Sequence, residues 1–270
     1  MNYHSDEWVM NQINRHYLFA NELYDSNQIV GVFCQGSTNY GLDCENSDID
    51  TKCIVVPSFK DIALARKPVS TTHILANDEH LDGKDVRKYM ETFRKQNLNF
   101  LEILFTPYCI INPLYREQWM RLVDERENIA HMNPYRAVKS MKGIAMEKYH
   151  AMEHRYPSKV DLIDKYGFDG KQVSHLIRVD DYLERYINGE EYEKCLRPTE
   201  SKVAEILDYK LQRVPLKVAR ERAAAVLEHT VKIADDFCKD KTDQEDSAMR
   251  DLLEDVQYEI MKIAMLEELK

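Results

Sequence analysis

The sequence predicts an α/β (α+β) unit built on a small mixed sheet and followed by a C-terminal α-helical domain. Three observations lead there. Short, β-branched runs bounded by turn formers, "QIVGVFCQG" and "DIDTKCIVV", have the length and composition of strands. Beyond the stretch from Pro107 to Pro113, helical periodicity with caps at both ends takes over. Before that stretch the two patterns mix, so the halves are organised differently, with domains expected at residues 1–112 and 113–270.

Taken in order, Ser5 can cap a first helix whose apolar face includes Trp8, Val9, Ile13 and Leu18. "QIVGVFCQG" is a buried strand that ends at Gly36, and residues 48–56 form a second strand stopped by Pro57. A third extended piece lies in "HILANDEHLDG", ahead of a helix that starts near Asp85 and runs through "VRKYMETFRKQ". One or two apolar helical turns follow in "NFLEILFT". Asn133 caps the next helix with Pro134 at its first position, where a missing N–H costs nothing. Asp169 and Gln172 have capping-box spacing, Val173, Leu176, Ile177, Leu183 and Ile187 share one face, and Gly189 ends that helix. Two more helices are expected over 216–239 and 246–268, and the Met and Tyr residues recurring after 130 belong to the core.

With 270 residues and 44% apolar content the chain can bury a core without covalent staples. Its six cysteines show no C-x-x-C pair or metal-type spacing, and the N-terminal stretch has no unbroken apolar run, so a reduced, cytoplasmic protein is expected. No run reaches the roughly 18 apolar residues of a membrane span, so no membrane partner is expected. A net charge of -10 opposes generic adhesion to nucleic acid. Residues 136–178 nevertheless hold nine Lys/Arg against five Asp/Glu. That excess is either a local basic wall or ordinary solvated helix faces.

The chemistry concentrates in "GSTNYGLDCENSDID", residues 36–50. Side chains alternate along a strand, so Asp48 and Asp50 point the same way with Ile49 opposite. Two unpaired carboxylates in one small space repel, and a divalent cation resolves the conflict. Mg²⁺ takes one or two carboxylates and keeps its other positions for water and phosphate oxygens. Gly36 lets the chain turn after its strand, and Ser37 and its neighbours supply a hydroxyl and N–H groups that can cradle phosphate. Taken singly, a Gly-Ser pair is a turn and Asp-x-Asp a solvated strand end. Gly41 and Ser47 make the combination much rarer.

The ordered string from Gly36 and Ser37 through Gly41 to Ser47-Asp48-Ile49-Asp50, set between two apolar strands, resembles the signature of the DNA polymerase β nucleotidyltransferase superfamily. Together with "LDGKDVRKYMETFRKQNLNFLEILFTP" and, more weakly, "GFDGKQVSHLIRV", the chain resembles its RNA-repair-associated branch of bacterial and phage nucleotidyltransferases, over about 175 residues. The resemblance implies a nucleotidyltransferase domain in which Asp48 and Asp50 hold the metals, Mg²⁺ or Mn²⁺, and Gly36, Ser37 and Ser47 face the nucleotide. It also implies a third acid from a neighbouring strand. Asp78, Glu79, Asp82 and Asp85 are available, and Asp82 is favoured because it stands where the third strand should end. Asp85 also suits a helix N-cap.

Lys171, His175 and Arg178 recur at helical spacing opposite the apolar stripe, which suits contact with a triphosphate or a nucleic-acid backbone. They equally suit a solvated face paired with Asp180, Asp181 or Glu184. Lys139 and Lys142, also one turn apart, are weaker candidates for the same role, with the surface reading favoured. The expected activity is transfer of a nucleoside monophosphate from a nucleoside triphosphate to a hydroxyl of RNA, protein or a small molecule, releasing pyrophosphate. The alternatives are a non-catalytic nucleotide-binding module on the same fold and a protein modifier of the toxin–antitoxin kind.

Overall fold

The computed structural model describes residues 3–270, which form two compact units. The first comprises the chain through Asn133 together with 245–270, and the second comprises 134–244. The boundary expected between 112 and 113 thus meets a division after Asn133 and a second one before Glu245. Periodicity marks a helix but not the unit it packs into, so the return of the last helix left no trace in the pattern.

In chain order the first unit contains α1 (Asp6–Leu23), β1 (Ile29–Gln35), α2 (Ser37–Tyr40), β2 (Asp50–Val55), α3 (Phe59–Ala63), β3 (Ser70–Ile74), β4 (His80–Asp85), α4 (Val86–Arg94), α5 (Leu98–Leu101), β5 (Cys109–Ile111), α6 (Arg116–Asp124) and α7 (Arg126–Ala130). The second contains α8 (Pro134–Ala151), α9 (Val160–Tyr166), α10 (Gly170–Ile187), α11 (Tyr192–Leu196), α12 (Glu200–Lys210) and α13 (Leu216–Cys238), and α14 (Ser247–Glu268) returns to the first. Among the described residues no helix is long and apolar enough to cross a membrane.

The strands form one mixed sheet in the order β3-β4-β2-β1-β5. β1 runs antiparallel to β2 and β5, β4 antiparallel to β3, and β2 and β4 are parallel. One face packs on α1, where Val9, Ile13 and Ala20 meet Val32, Cys34, Cys53, Val55 and Leu81. Leu18, expected on the buried side of α1, is 58% exposed, and His16 is buried there instead. On the other face Phe33 packs against Trp119 of α6 at 4.5 Å between ring centroids. α14 lies against α4 and α6, buries Leu253, Val256 and Ile260, and pairs Asp255 with Arg121, while Glu245 just ahead of it pairs with Arg94.

The single extended piece expected in "HILANDEHLDG" is a hairpin in the structure, turning at Asp78 with φ 63°. Asp tolerates the left-handed region without glycine, and nearly every side chain of β3 is exposed. The strand therefore shows none of the apolar alternation that marks a half-buried one.

In the second unit α10 packs against α8, α12 and α13. Asp169 caps it by accepting from Lys171 N at 2.9 Å, and Gln172 Nε2 donates to the same carboxylate at 3.2 Å. Gly170 is required at its start, because a Cβ would stand 2.0 Å from the Tyr209 carbonyl oxygen. Val173, Leu176, Ile177 and Leu183 are buried as expected, but so are Arg178, Asp181, Tyr182 and Tyr186. Neighbours on several sides leave this helix no single open polar face.

Candidate active site

Register assembles the site. Gln35, the last residue of β1, pairs with Asp50, the first of β2, so the turn at Gly36 and the Asp48–Asp50 pair lie at the same end of the sheet. Gly36 adopts φ 90° and ψ −148°, open only to glycine, and α2 follows until Gly41 breaks it at φ 69°. Gly36 N donates to Glu102 Oε1 at 3.2 Å, and Tyr40 Oη donates to the other oxygen of that buried carboxylate. Glu102 thus braces the turn from inside the fold.

Asp48 is exposed and precedes β2, Asp50 is partly exposed and opens it, and Ile49 between them is fully buried. Both acids flanking Ile49 therefore remain accessible. The strand expected from residue 48 begins two residues later, with the preceding loop pinned by side chains. His4 N donates to Asp43 at 2.9 Å, and Cys44 N donates to Ser47 Oγ at 2.9 Å. Ser47, an expected nucleotide contact, thus also helps to shape this loop.

The parallel pairing of β2 and β4 adds the neighbouring strand. His80 N donates to Asp50 Oδ1 at 2.9 Å, and Lys52 is in register with Asp82. Asp82 is partly exposed, accepts from Thr72 Oγ1 at 2.6 Å and faces Gln35 Nε2 at 3.5 Å. Asp50, Lys52 and Asp82 share one face of the sheet.

The other acids weighed for the third position are engaged elsewhere. Asp85 is 1% exposed, caps α4 through Arg87 N at 2.8 Å and pairs with the Arg87 guanidinium at 2.7 Å. Asp78 forms the hairpin turn. Glu79 is 4% exposed and accepts from Arg15, from His16 Nε2 at 3.0 Å and from Ile49 N at 3.3 Å. Burial alone would raise the Glu79 carboxyl, but hydrogen bonds from His16, Asn77 and Ile49 outweigh it and hold the group below its ordinary value. Burial lowers the pKa of His16, against the pull of Glu79.

Three residues of this site were missed in the sequence: Lys52, Glu79 in its bracing role, and Glu102. Lys52 could have been found, because it stands two residues after Asp50 and so on the same face of the strand. Burial pushes its ammonium down to about 8, opposed by Asp82.

In the second unit Lys171 is exposed, His175 half-buried and Arg178 buried at 2% exposure, so the three do not project together from an open face. Two of their three expected acidic partners are occupied: Asp180 accepts from Thr230 Oγ1 at 2.7 Å and faces His229 Nδ1 at 2.8 Å, and Asp181 accepts from Thr199 Oγ1 at 2.9 Å. Burial, then Arg178, Lys148, Lys171 and Lys210, hold the His175 pKa well below its ordinary value. Lys139 bonds the Tyr135 hydroxyl and Lys142 pairs with Asp235, as surface lysines do.

A mixed sheet that sets a glycine-bordered turn beside an Asp-x-Asp strand start, with a further acid on the adjoining strand, is an arrangement of the nucleotidyltransferase class. The chain matches the RNA repair pathway DNA polymerase beta family, RlaP, over residues 11–180 and belongs to that family. Among solved structures it is similar to a nucleotidyltransferase-like protein from Exiguobacterium sibiricum, at 10% identity and a TM-score of 0.28, over 84% of this chain and 75% of that one. No curated protein matches the chain.

Proposed function

We propose that this chain transfers a nucleoside monophosphate from a nucleoside triphosphate to the terminal hydroxyl of an RNA, with release of pyrophosphate. The observation that carries the proposal is the register of β1, β2 and β4, which gathers Gly36, Asp50 and Asp82 at one end of the sheet. The family's designation as an RNA repair pathway family and the basic excess in residues 136–178 support RNA as the acceptor.

The donor set suits a hard divalent cation, Mg²⁺ or Mn²⁺: three accessible carboxylates and no thiolate. Among the described residues no three His, Cys, Asp or Glu side chains already form a metal-binding group. Asp48 and Asp50 would hold such an ion, with Asp82 beside them and phosphate oxygens and water completing the shell. Bound there, it would neutralise the paired acids and the charge developing on the leaving pyrophosphate.

Asp82 takes the proton of the acceptor hydroxyl as that oxygen attacks the α-phosphorus and the bond to the β-phosphate breaks. Backbone N–H groups of the turn at Ser37 steady the triphosphate. His80 orients Asp50.

Incubation with each α-labelled triphosphate and Mg²⁺, alongside total RNA or total protein, tests the proposal. Label on RNA supports it. Label on protein moves the acceptor to a protein hydroxyl, and nucleotide binding without transfer makes the chain a non-catalytic module.

A further inference from the structure

We infer that Lys52 is a positioning residue for Asp82: a buried, fixed cation that holds the third carboxylate in place and supplies part of the positive charge of the site. The inference rests on the nucleotidyl-transfer proposal above.

Lys52 lies in the middle of the sheet at 3% exposure, where a central strand ordinarily carries an apolar side chain. A buried ammonium is costly unless it is paired. Its Nζ stands 3.7 Å from Asp82 Oδ2, and its other contact is the Phe100 ring, 4.1 Å from the centroid. Lys84 Nζ approaches the same ring at 3.8 Å, so Phe100 carries two ammonium groups on the site side of the sheet. The ring limits where Lys52 can go, and Lys52 with Gln35 and Thr72 limits where Asp82 can go.

Asp85, three residues on, shows that the structural need for acids on β4 is met elsewhere. It already caps α4 and pairs with Arg87, whereas Asp82 is partly exposed and pairs inward with a lysine. A carboxylate needed only to neutralise Lys52 would be expected to be buried with it. Asp82 instead stays partly exposed while Thr72 holds Oδ1 and the buried cation faces Oδ2, which suits an acid that must be presented to a ligand in a set orientation.

The test compares Lys52→Met and Lys52→Arg with Asp82→Asn in the full chain, reading kcat and KM separately and titrating Mn²⁺ without nucleotide by electron paramagnetic resonance. Lys52→Met is expected to lower kcat about a hundredfold with KM within about threefold, and Lys52→Arg to recover most of the loss. Added to Asp82→Asn, it should cost little more, because both act through one carboxylate. Removing a fixed positive charge a few ångströms from the acids should tighten Mn²⁺ binding about three- to tenfold. Lys52→Gln, also uncharged, carries the same expectations should the Met variant fail to fold. Fully additive losses, or unchanged Mn²⁺ affinity in the uncharged variants, would overturn the inference. A wild-type protein without transfer activity would defeat the functional proposal alone, since the Mn²⁺ titration still decides the role of Lys52.

Discussion

Glu79 accepts a hydrogen bond from the backbone N–H of Ile49 at 3.3 Å, so a buried carboxylate on one side of the sheet fixes the peptide that joins the two accessible acids on the other. The same carboxylate takes Arg15 and His16, and His16 Nδ1 in turn meets Thr51 Oγ1 at 2.8 Å. The backbone of the Asp-x-Asp segment is therefore held from behind. Glu79→Gln should cost about 1–3 kcal/mol, the usual consequence of disturbing a buried hydrogen-bonded charge.

This network also sets a pH dependence. The folded-state values of His16 and Glu79 both lie below their ordinary 6.5 and 4.5, so the unfolded chain binds more protons as pH falls. Their contribution to stability is complete above the ordinary His value and is lost progressively on acidification. Urea denaturation of the wild type should show stability declining from neutral pH downward, with the part below the ordinary Glu value reduced in Glu79→Gln. A flat profile would remove the network from the stability of the fold.

Asp48→Asn and Asp50→Asn should each lower transfer at least about 1000-fold, several kcal/mol of lost electrostatic stabilisation. Thermal midpoints should move little, because both side chains are accessible and like-charged. Retention of a tenth of the wild-type turnover by either variant would place the reacting centre elsewhere.

Asp82 and Asp85 should separate by role. Asp85→Ala removes a helix cap and leaves Arg87 without its partner, so a loss of about 1–3 kcal/mol in stability is expected with turnover per folded molecule preserved. Asp82→Asn should also lower stability, because it leaves the buried Lys52 ammonium without its paired charge, but of the two it alone should cut turnover per folded molecule, by about 1000-fold. Paired melting and rate measurements on the two variants distinguish this assignment from its reverse.

On α10, Lys171→Ala should leave the melting temperature unchanged, whereas Arg178→Ala should lower it. Arg178 is among the largest fully buried side chains, and its removal takes packing as well as charge.

Much of this was legible in the sequence. The strand around Val32, the turn at Gly36, the Asp-x-Asp segment and the caps at Ser5 and Asp169 are local signals, each set by a few adjacent residues. What escaped was non-local. β3 is exposed along most of its length and shows no alternation, so its hairpin with β4 merged into one extended piece. Arg178 sits at helical spacing from Lys171, but its burial depends on neighbouring helices that no spacing reveals. Glu102 lies inside the apolar run "NFLEILFT", and only the tertiary fold brings it to Gly36 N.

The path of the chain has a consequence for how the protein is made. Asp246 N donates to the carbonyl of Met132 at 2.7 Å, so the polypeptide leaves the sheet-bearing unit and re-enters it at nearly the same spot. On the ribosome the strands are made early, yet the helix that lies against α4 and α6 is made only after the whole second unit. The nascent unit must wait, with α4 and α6 uncovered on one side, while more than a hundred residues emerge. Splicing residue 132 to 246 through a short turn would let that unit close on itself, whereas a fragment stopped at 133 would lack its final layer.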